Sequence, residues 1–369
     1  MYQKGIIIKL KNVKKNEVII NTKLIKKNIN IIKKHIGETE IIAVIKGNGY
    51  GHGLIESARV CNEQNIKTFA LGDIKEAIEL RKKGFKQNML LLFPPIKSNI
   101  EIISKLQLIP TVYKLEHLKL IEEIDKSIVF DLEINTGIGR SGCEIKEIKN
   151  IMEYVREKNL KLNSTYTHLY NKADYFTSLQ QLKTFKDAMK DYPEVRLHIG
   201  GSYAFCYGKE FHLDGIRIGL GLYGLVDTFL VDEQLYPVME YNTVFDDIIT
   251  LEKGKHLGYM SGFTAKRKSK IGVLNMGYIQ GYPKVDRGYV YFGNKFCKIV
   301  GGVNMQNMCV DVTDVENRFI ENFEDEKVNI YSTKCEDKNN IMNLAEMNNI
   351  KPNLYVCGIN DKYVERKYI

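Results

Sequence analysis

A lysine that closes an apolar run and is followed at once by alternate glycines is the densest chemical feature of the chain: Ala43-Val44-Ile45-Lys46-Gly47-Asn48-Gly49-Tyr50-Gly51-His52-Gly53. Alternate glycines let a backbone turn sharply and approach a ligand closely. A lysine leaving an apolar strand is partly desolvated, which frees its amine for Schiff-base chemistry. Other polar residues follow later apolar runs in the same way. Asp131, Glu133 and Arg140 lie in DLEINTGIGRSG, His168 ends STYTHLYN, Ser202 lies in HIGGSYAF, and Arg217 and Gly219 lie in DGIRIGLGLYG. Ser202 with the backbone of Gly219 and Leu220 makes a candidate phosphate cradle. An arginine between that cradle and the lysine suits a phosphorylated cofactor.

These groups can meet only if the runs carrying them are neighbours in space. The β-like runs are Glu40–Lys46, Lys67–Leu71, Asn88–Phe93, Leu108–Val112, Ser127–Asn135, Asn163–His168, Val195–Ile199 and Gly215–Leu220, with amphipathic helical stretches in most gaps. Eight strands alternating with helices predict an α/β chain folded as a (β/α)8 barrel, whose active site sits at the carboxyl ends of the strands. An open doubly wound sheet is the alternative, because periodicity does not report closure. Beyond Tyr223 the strand-like runs crowd together: FDDIITLEKG, SKIGVLNMG, RGYVYFGNKFCKIVGG, MCVDVTD and KVNIYS. The expectation is a barrel domain over 1–235 and a mostly-β C-terminal domain over 236–369, with a soft junction near Leu230–Tyr241.

Composition narrows the function classes. The net charge is +9, and 44% of residues are hydrophobic against 27% charged, as in an ordinary globular protein. The lysines are spread along helices such as KLIKKNINIIKKH, and no nucleic-acid-binding motif accompanies them, so no nucleic-acid partner is expected. No apolar run approaches the roughly 18 residues that cross a bilayer. The N-terminal MYQKGIIIKLKNVKKNE returns to lysine too soon for a leader peptide. Seven scattered cysteines without a CxxC pair suit reduced thiols in the cytoplasm. His35, His117, His212 and His256 lack ligand spacing, so no metal is expected. The run Gly219-Leu220-Gly221-Leu222-Tyr223-Gly224 matches G-x-G-x-x-G but does not open a βαβ unit, so it is not read as a dinucleotide fingerprint.

Taken in order, AVIKGNGYGHG, NTGIGRSG, YTHL, HIGGS, IRIGLGLYG, GYMSGFTA, MGYIQGYPK and VGGVNMQNMCVDVT resemble the alanine racemase family over nearly the whole chain. The resemblance implies a pyridoxal 5'-phosphate (PLP) enzyme that interconverts L- and D-alanine, with a barrel domain, a β domain and a homodimer sharing its active sites. By that resemblance Lys46 carries the cofactor covalently and is one catalytic base. Tyr259 is the second base, supplied by the partner subunit. Tyr50, Ser202, Gly219 and Leu220 match phosphate contacts, Arg217 faces the pyridine nitrogen, and His168 lies beside the ring and links Arg217 to the tyrosine base. Arg140, Tyr278 and Met305 match substrate-side residues, with Glu133, Asn304 and Gln306 supporting them.

Several positions depart from the family pattern. Glu133 stands where many relatives carry a carbamylated lysine, and is expected to hold Arg140 directly. Gly201 replaces an asparagine, Asn304, Gln306 and Asn307 replace Cys, Asp and Gln, Gln280 replaces an aspartate, and Asn353 replaces a tyrosine. HIGGSY is also similar to the serine/alanine racemases of vancomycin resistance, whose pocket accepts a hydroxyl. Serine or a broader range of amino acids is therefore an alternative substrate, and a divergent PLP-binding protein without racemisation an alternative function.

Overall fold

The computed structural model describes residues 16–171, 174–228 and 231–369. The N-terminal segment read against a leader, and Leu230 at the expected junction, lie outside them. The chain forms two compact units: Asn21–Val238, and β1 (Asn16–Ile20) together with Met239–Ile369.

In the first unit eight parallel strands close into a barrel: β2 (Glu40–Val44), β3 (Thr68–Leu71), β4 (Asn88–Leu91), β5 (Ile109–Val112), β6 (Val129–Glu133), β7 (Lys161–His168), β8 (Arg196–Gly200) and β9 (Gly215–Ile218), with β9 pairing back to β2. All eight fall within three residues of the expected runs, and closure decides against the open sheet. Ile42, Val44, Ala70, Leu90, Ile109 and Tyr166 form a buried cluster. They alternate along their strands, as inward positions of a pleated barrel must.

The first barrel helix, α1 (Thr22–Ile36), shows how the basic stretch folds. Asn21 caps it by accepting from the N–H groups of Lys23 and Leu24, and Gly37 ends it at φ +63°. Ile25, Ile29, Ile32 and Ile36 make the buried stripe, while the lysines between them face outward. Asn28 falls inside that stripe without being orphaned: its amide donates to Leu222 O and Tyr236 O, and its oxygen accepts from Tyr236 N.

The second unit is built on a nine-stranded sheet. Its strands are β1, β10 (Met239–Thr243), β11 (Phe245–Leu251), β14 (Ser269–Leu274), β15 (Tyr289–Phe292), β16 (Lys295–Val303), β17 (Met308–Asp311), β18 (Val328–Tyr331) and β19 (Val364–Tyr368), and a separate two-residue pair is formed by β12 (His256–Leu257) and β13 (Phe263–Thr264). The order is β11-β14-β17-β16-β15-β18-β10-β1-β19. Here the structure differs from the expected domain bounds. The division falls after Val238, and β1 pairs with β10 and β19 rather than with any barrel strand. Residues Asn16–Ile20 alternate buried and half-buried, a pattern that fits any one-faced sheet and so names no partner. No helix among the described residues is long and apolar enough to cross a membrane.

Leu90 sits 1% exposed within the inward cluster. Leu90→Ala is expected to cost about 2–5 kcal/mol of unfolding free energy in a urea titration followed by circular dichroism. A loss below about 0.5 kcal/mol would place that side chain outside the core.

Candidate active site

Strand parity delivers the polar residues to the barrel axis. Ile42 and Val44 point inward, so Lys46, two residues beyond, continues the same face at the carboxyl end of β2. The backbone then turns through four successive residues with positive φ: Gly47 at +64°, Asn48 at +55°, Gly49 at +61° and Tyr50 at +51°. For the two non-glycines this conformation costs about 1–2 kcal/mol each. Asn48 recovers part of it by accepting from Leu54 N at 2.8 Å. Gly49 has no alternative, since a Cβ there would lie 2.5 Å from Ser57 Oγ and 3.1 Å from the Tyr223 hydroxyl.

On the adjoining wall, where β9 pairs with β2, register sets Gly200 between His168 on β7 and Arg217 on β9. A Cβ at Gly200 would meet Arg217 Nη2 at 2.2 Å and His168 Nδ1 at 2.4 Å. The glycine is the space in which those two side chains meet. Arg217 is 3% exposed and stacks on Tyr166, its Cζ 4.0 Å from the ring centroid. Its Nη2 donates to Thr167 O and its Nη1 to His198 Nδ1, both at 2.8 Å. A guanidinium only donates, so His198 Nδ1 must be the acceptor and Nε2 carries the proton. That proton faces Asp131 Oδ2 at 3.1 Å, and Asp131 Oδ1 accepts from Asn163 Nδ2 at 2.7 Å. A neutral imidazole thus joins a buried cation to a buried carboxylate.

Burial lowers the Arg217 pKa, opposed by Tyr166, Glu133 and Asp131. A guanidinium nevertheless keeps its charge inside proteins. His168 is pulled down to about 3, first by burial and then by the positive charges of Arg217, Arg140 and Lys46. It is therefore a neutral ring at any working pH. The bonds to Thr167 and His198 use two of the five Arg217 N–H groups, so the guanidinium keeps donors towards the space it shares with His168.

At the ends of β8 and β9, Ser202 Oγ accepts from the N–H groups of Gly219 at 3.1 Å and Gly221 at 3.2 Å. The Ser202 hydroxyl proton remains available to an anion. Tyr50 packs over Gly219, where a Cβ would lie 2.9 Å from the phenolic oxygen. Leu220 opens the short 3-10 turn that follows. Tyr50, Ser202, Gly219 and Leu220 therefore lie together.

One expectation needs correction. Asp131 does not belong to the rim. It lies one inward layer below Glu133, 2% exposed, and lines a small polar cavity with Glu40, Asn163, Arg196 and Asp214. Glu133 is 4% exposed, and its charge adds to burial in raising the pKa of Tyr113 and Tyr166. Arg140 is exposed on a loop whose backbone is fixed elsewhere, with Asn135 Oδ1 accepting from Gly137 N and Gly139 N. Asp131 and His198 also form a buried hydrogen-bonded pair that sequence reading left without a role. Period-two counting back from Arg217, Gly200 and Glu133 was the available signal.

In the second unit, Tyr259 is 82% exposed on a short turn, and Met260 beside it is fully exposed at φ +51°. Tyr259, Tyr278, Asn304 and Met305 line one cavity of about 760 Å³. Tyr278 is held by its backbone, with Tyr278 N donating to Asn304 O and Ile279 N to Met305 O. Gln280 is buried, accepts from Gly277 N and donates to Asn275 Oδ1, which fixes the same turn. One N–H of the Asn304 amide donates to Asn307 Oδ1 at 2.9 Å, and Gln306 is exposed. Asn353 begins a short helix, and Tyr355 after it is buried against Tyr282 and Tyr331.

Comparison with known proteins adds an independent finding. The family model of the alanine racemase N-terminal domain matches residues 20–227, and that of the alanine racemase C-terminal domain matches 238–368. An alanine racemase of Borreliella burgdorferi is 29% identical over 372 residues, covering 95% of this chain and 96% of the relative. One of Clostridium kluyveri is 31% identical over 306 residues, covering 78% of each. Among solved structures, alanine racemase from E. faecalis superposes with a TM-score of 0.86 at 23% identity, covering 96% of this chain and 98% of the other. The enzyme from Bartonella henselae with covalently bound pyridoxal phosphate gives 0.86 at 22% identity, covering 97% and 100%. These two likenesses concern the fold.

The electrostatics of His168 can be tested directly. Its folded pKa of about 3 lies below the ordinary 6.5. Between those values the unfolded chain binds a proton that the folded chain does not, so stability rises with pH there. Stability should therefore fall as pH drops from about 6.5 towards 3, and His168→Gln should flatten that limb. Urea midpoints measured across this range check it; an unchanged slope would mean that His168 titrates as an ordinary histidine.

Proposed function

This chain belongs to the alanine racemase family, whose members are PLP-dependent racemases, and from that premise we propose that it interconverts L- and D-alanine with Lys46 and Tyr259 as its two bases. The observation that carries the reading is the convergence at the barrel mouth. There, a lysine is presented by strand parity, a buried arginine faces a space kept open by Gly200, and Ser202 and Tyr50 lie at a glycine turn.

Those residues suit the cofactor's chemistry. A phosphate fits hydroxyl donors at Ser202 and Tyr50 beside the backbone of Gly219 and Leu220. An aldehyde fits the Lys46 amine, and a pyridine nitrogen fits a donor such as Arg217. Bound PLP supplies an electron sink for the negative charge left when the α-proton is removed. Arg217 cannot surrender a proton, so it orients the ring without protonating it. That weak polarisation disfavours reactions that need a stronger sink. His168, being neutral, adds no competing positive charge beside Arg217.

Racemisation needs a proton taken from one face and returned to the other. Lys46 serves one face. The exposed Tyr259, on a surface with Met260, Tyr278 and Met305, suits the second role when contributed by the partner subunit, so the working form is a homodimer. Arg140 and Met305 would meet the substrate, with Arg140 on its carboxylate. Alanine is favoured over serine because the relatives that match most of the chain are alanine racemases. In this reading the enzyme works in the cytoplasm and supplies D-alanine for bacterial wall precursors.

A chiral assay with alanine, serine, lysine and arginine in parallel tests the proposal, and alanine should turn over in both directions. Lys46→Ala should lose the covalently bound cofactor. Tyr259→Phe should keep the cofactor while slowing racemisation of at least one enantiomer by about 10²–10⁴-fold. Normal rates for both enantiomers in Tyr259→Phe would remove the second base.

A further inference from the structure

On the reading that Lys46 carries the cofactor, we propose that Glu76 is a positioning residue for that lysine, clamping the two loops between which its side chain passes. Glu76 lies in the first turn of the helix Ile74–Lys82, whose N-cap Asp73 accepts from Lys75 N at 2.8 Å. Its carboxylate reaches outside its own helix. Oε1 accepts from Asn48 N at 3.0 Å, and Oε2 accepts from Gly72 N at 3.1 Å. Asn48 is the second residue of the left-handed turn after Lys46. Gly72 follows β3 and forms the wall along which the lysine stem lies: a Cβ at Gly72 would be 3.2 Å from both Cβ and Cδ of Lys46. One side chain thus ties together the loop that carries the lysine and the loop that shapes its path.

The arrangement explains why a carboxylate suits this position. Both partners are N–H donors, so two acceptor oxygens are required, and an anion strengthens both bonds. An amide offers one oxygen and sets its own N–H groups against a donor. The turn from Gly47 to Tyr50 is unfavourable for Asn48 and Tyr50 and persists only where surrounding groups hold it. Without the clamp the Lys46 stem gains freedom, and its amine is no longer presented in one geometry.

The test uses the full-length protein with Glu76→Ala and Glu76→Gln. In the cofactor-free form, hydrogen exchange at the Asn48 and Gly72 amides should quicken at least tenfold in Glu76→Ala, while β17 keeps its protection. Glu76→Gln should release one of the two amides. With PLP added, borohydride trapping on Lys46 should be slower in Glu76→Ala. Its kcat should fall by about 10–100-fold with KM little changed, the signature of a misplaced reacting group. Parental exchange at both amides would overturn the clamp. Faster exchange with parental trapping and kcat would leave Glu76 without a positioning role, and overturns the proposal equally. If the parent protein itself fails to trap PLP at Lys46, the assignment of the lysine fails instead, and the exchange comparison still decides whether the clamp exists.

Discussion

A guanidinium buried inside a parallel barrel is the constraint to which the rest of the first unit answers. Taking Arg217 out of water is costly, and the barrel core offers mainly Ile, Leu, Val and Ala around it. The structure meets that cost with three groups at fixed positions: the Thr167 carbonyl, the Tyr166 ring face and the Nδ1 lone pair of His198. His198 can present that lone pair only if its proton sits on Nε2, and Asp131 ensures that it does. The anion lies one imidazole away from the cation, so Arg217 is balanced in charge without being capped by a carboxylate. It keeps its function as a donor towards the barrel mouth.

Register and glycine turn that balanced cation into a site. Gly200 is the neighbour of both His168 and Arg217 in the parallel ladder, and its missing side chain is the room in which they approach each other. The neutral state of His168 follows, since an imidazolium there would be partly desolvated beside the positive charges of Arg217, Arg140 and Lys46. Next to β9, the strand that carries Lys46 breaks into a left-handed turn that only glycine-rich sequence tolerates, and Ser57 and Tyr223 close against it. In the second unit the same economy appears in another form. Asn304, Asn307 and Gln280 spend their amides on the turn that displays Tyr278.

The order of strands and helices could be read from the chain because each barrel strand is a short apolar run and each helix carries its own stripe. The candidate residues could be found for the same reason: they end those runs, as Lys46, His168 and Ser202 do. Partnerships were harder to see. Asp131 and Glu133 look alike in sequence, both inward and two residues apart, yet Asp131 registers with Ser164 and bonds His198, whereas Glu133 registers with Tyr166.

What the sequence determined by itself was local: the eight alternating units, a glycine turn after Lys46 and the polar residues that close several of the strands. These follow from hydrophobic period and from glycine, which act over a few residues. Tertiary structure alone decided that the sheet closes, that β1 joins the second unit and that Arg217 leans on His198 and Asp131. Each of those depends on contacts between residues 19 to more than 200 positions apart, formed by strand register and shared burial. No window of sequence contains both partners of such a contact, so only the folded chain could choose them.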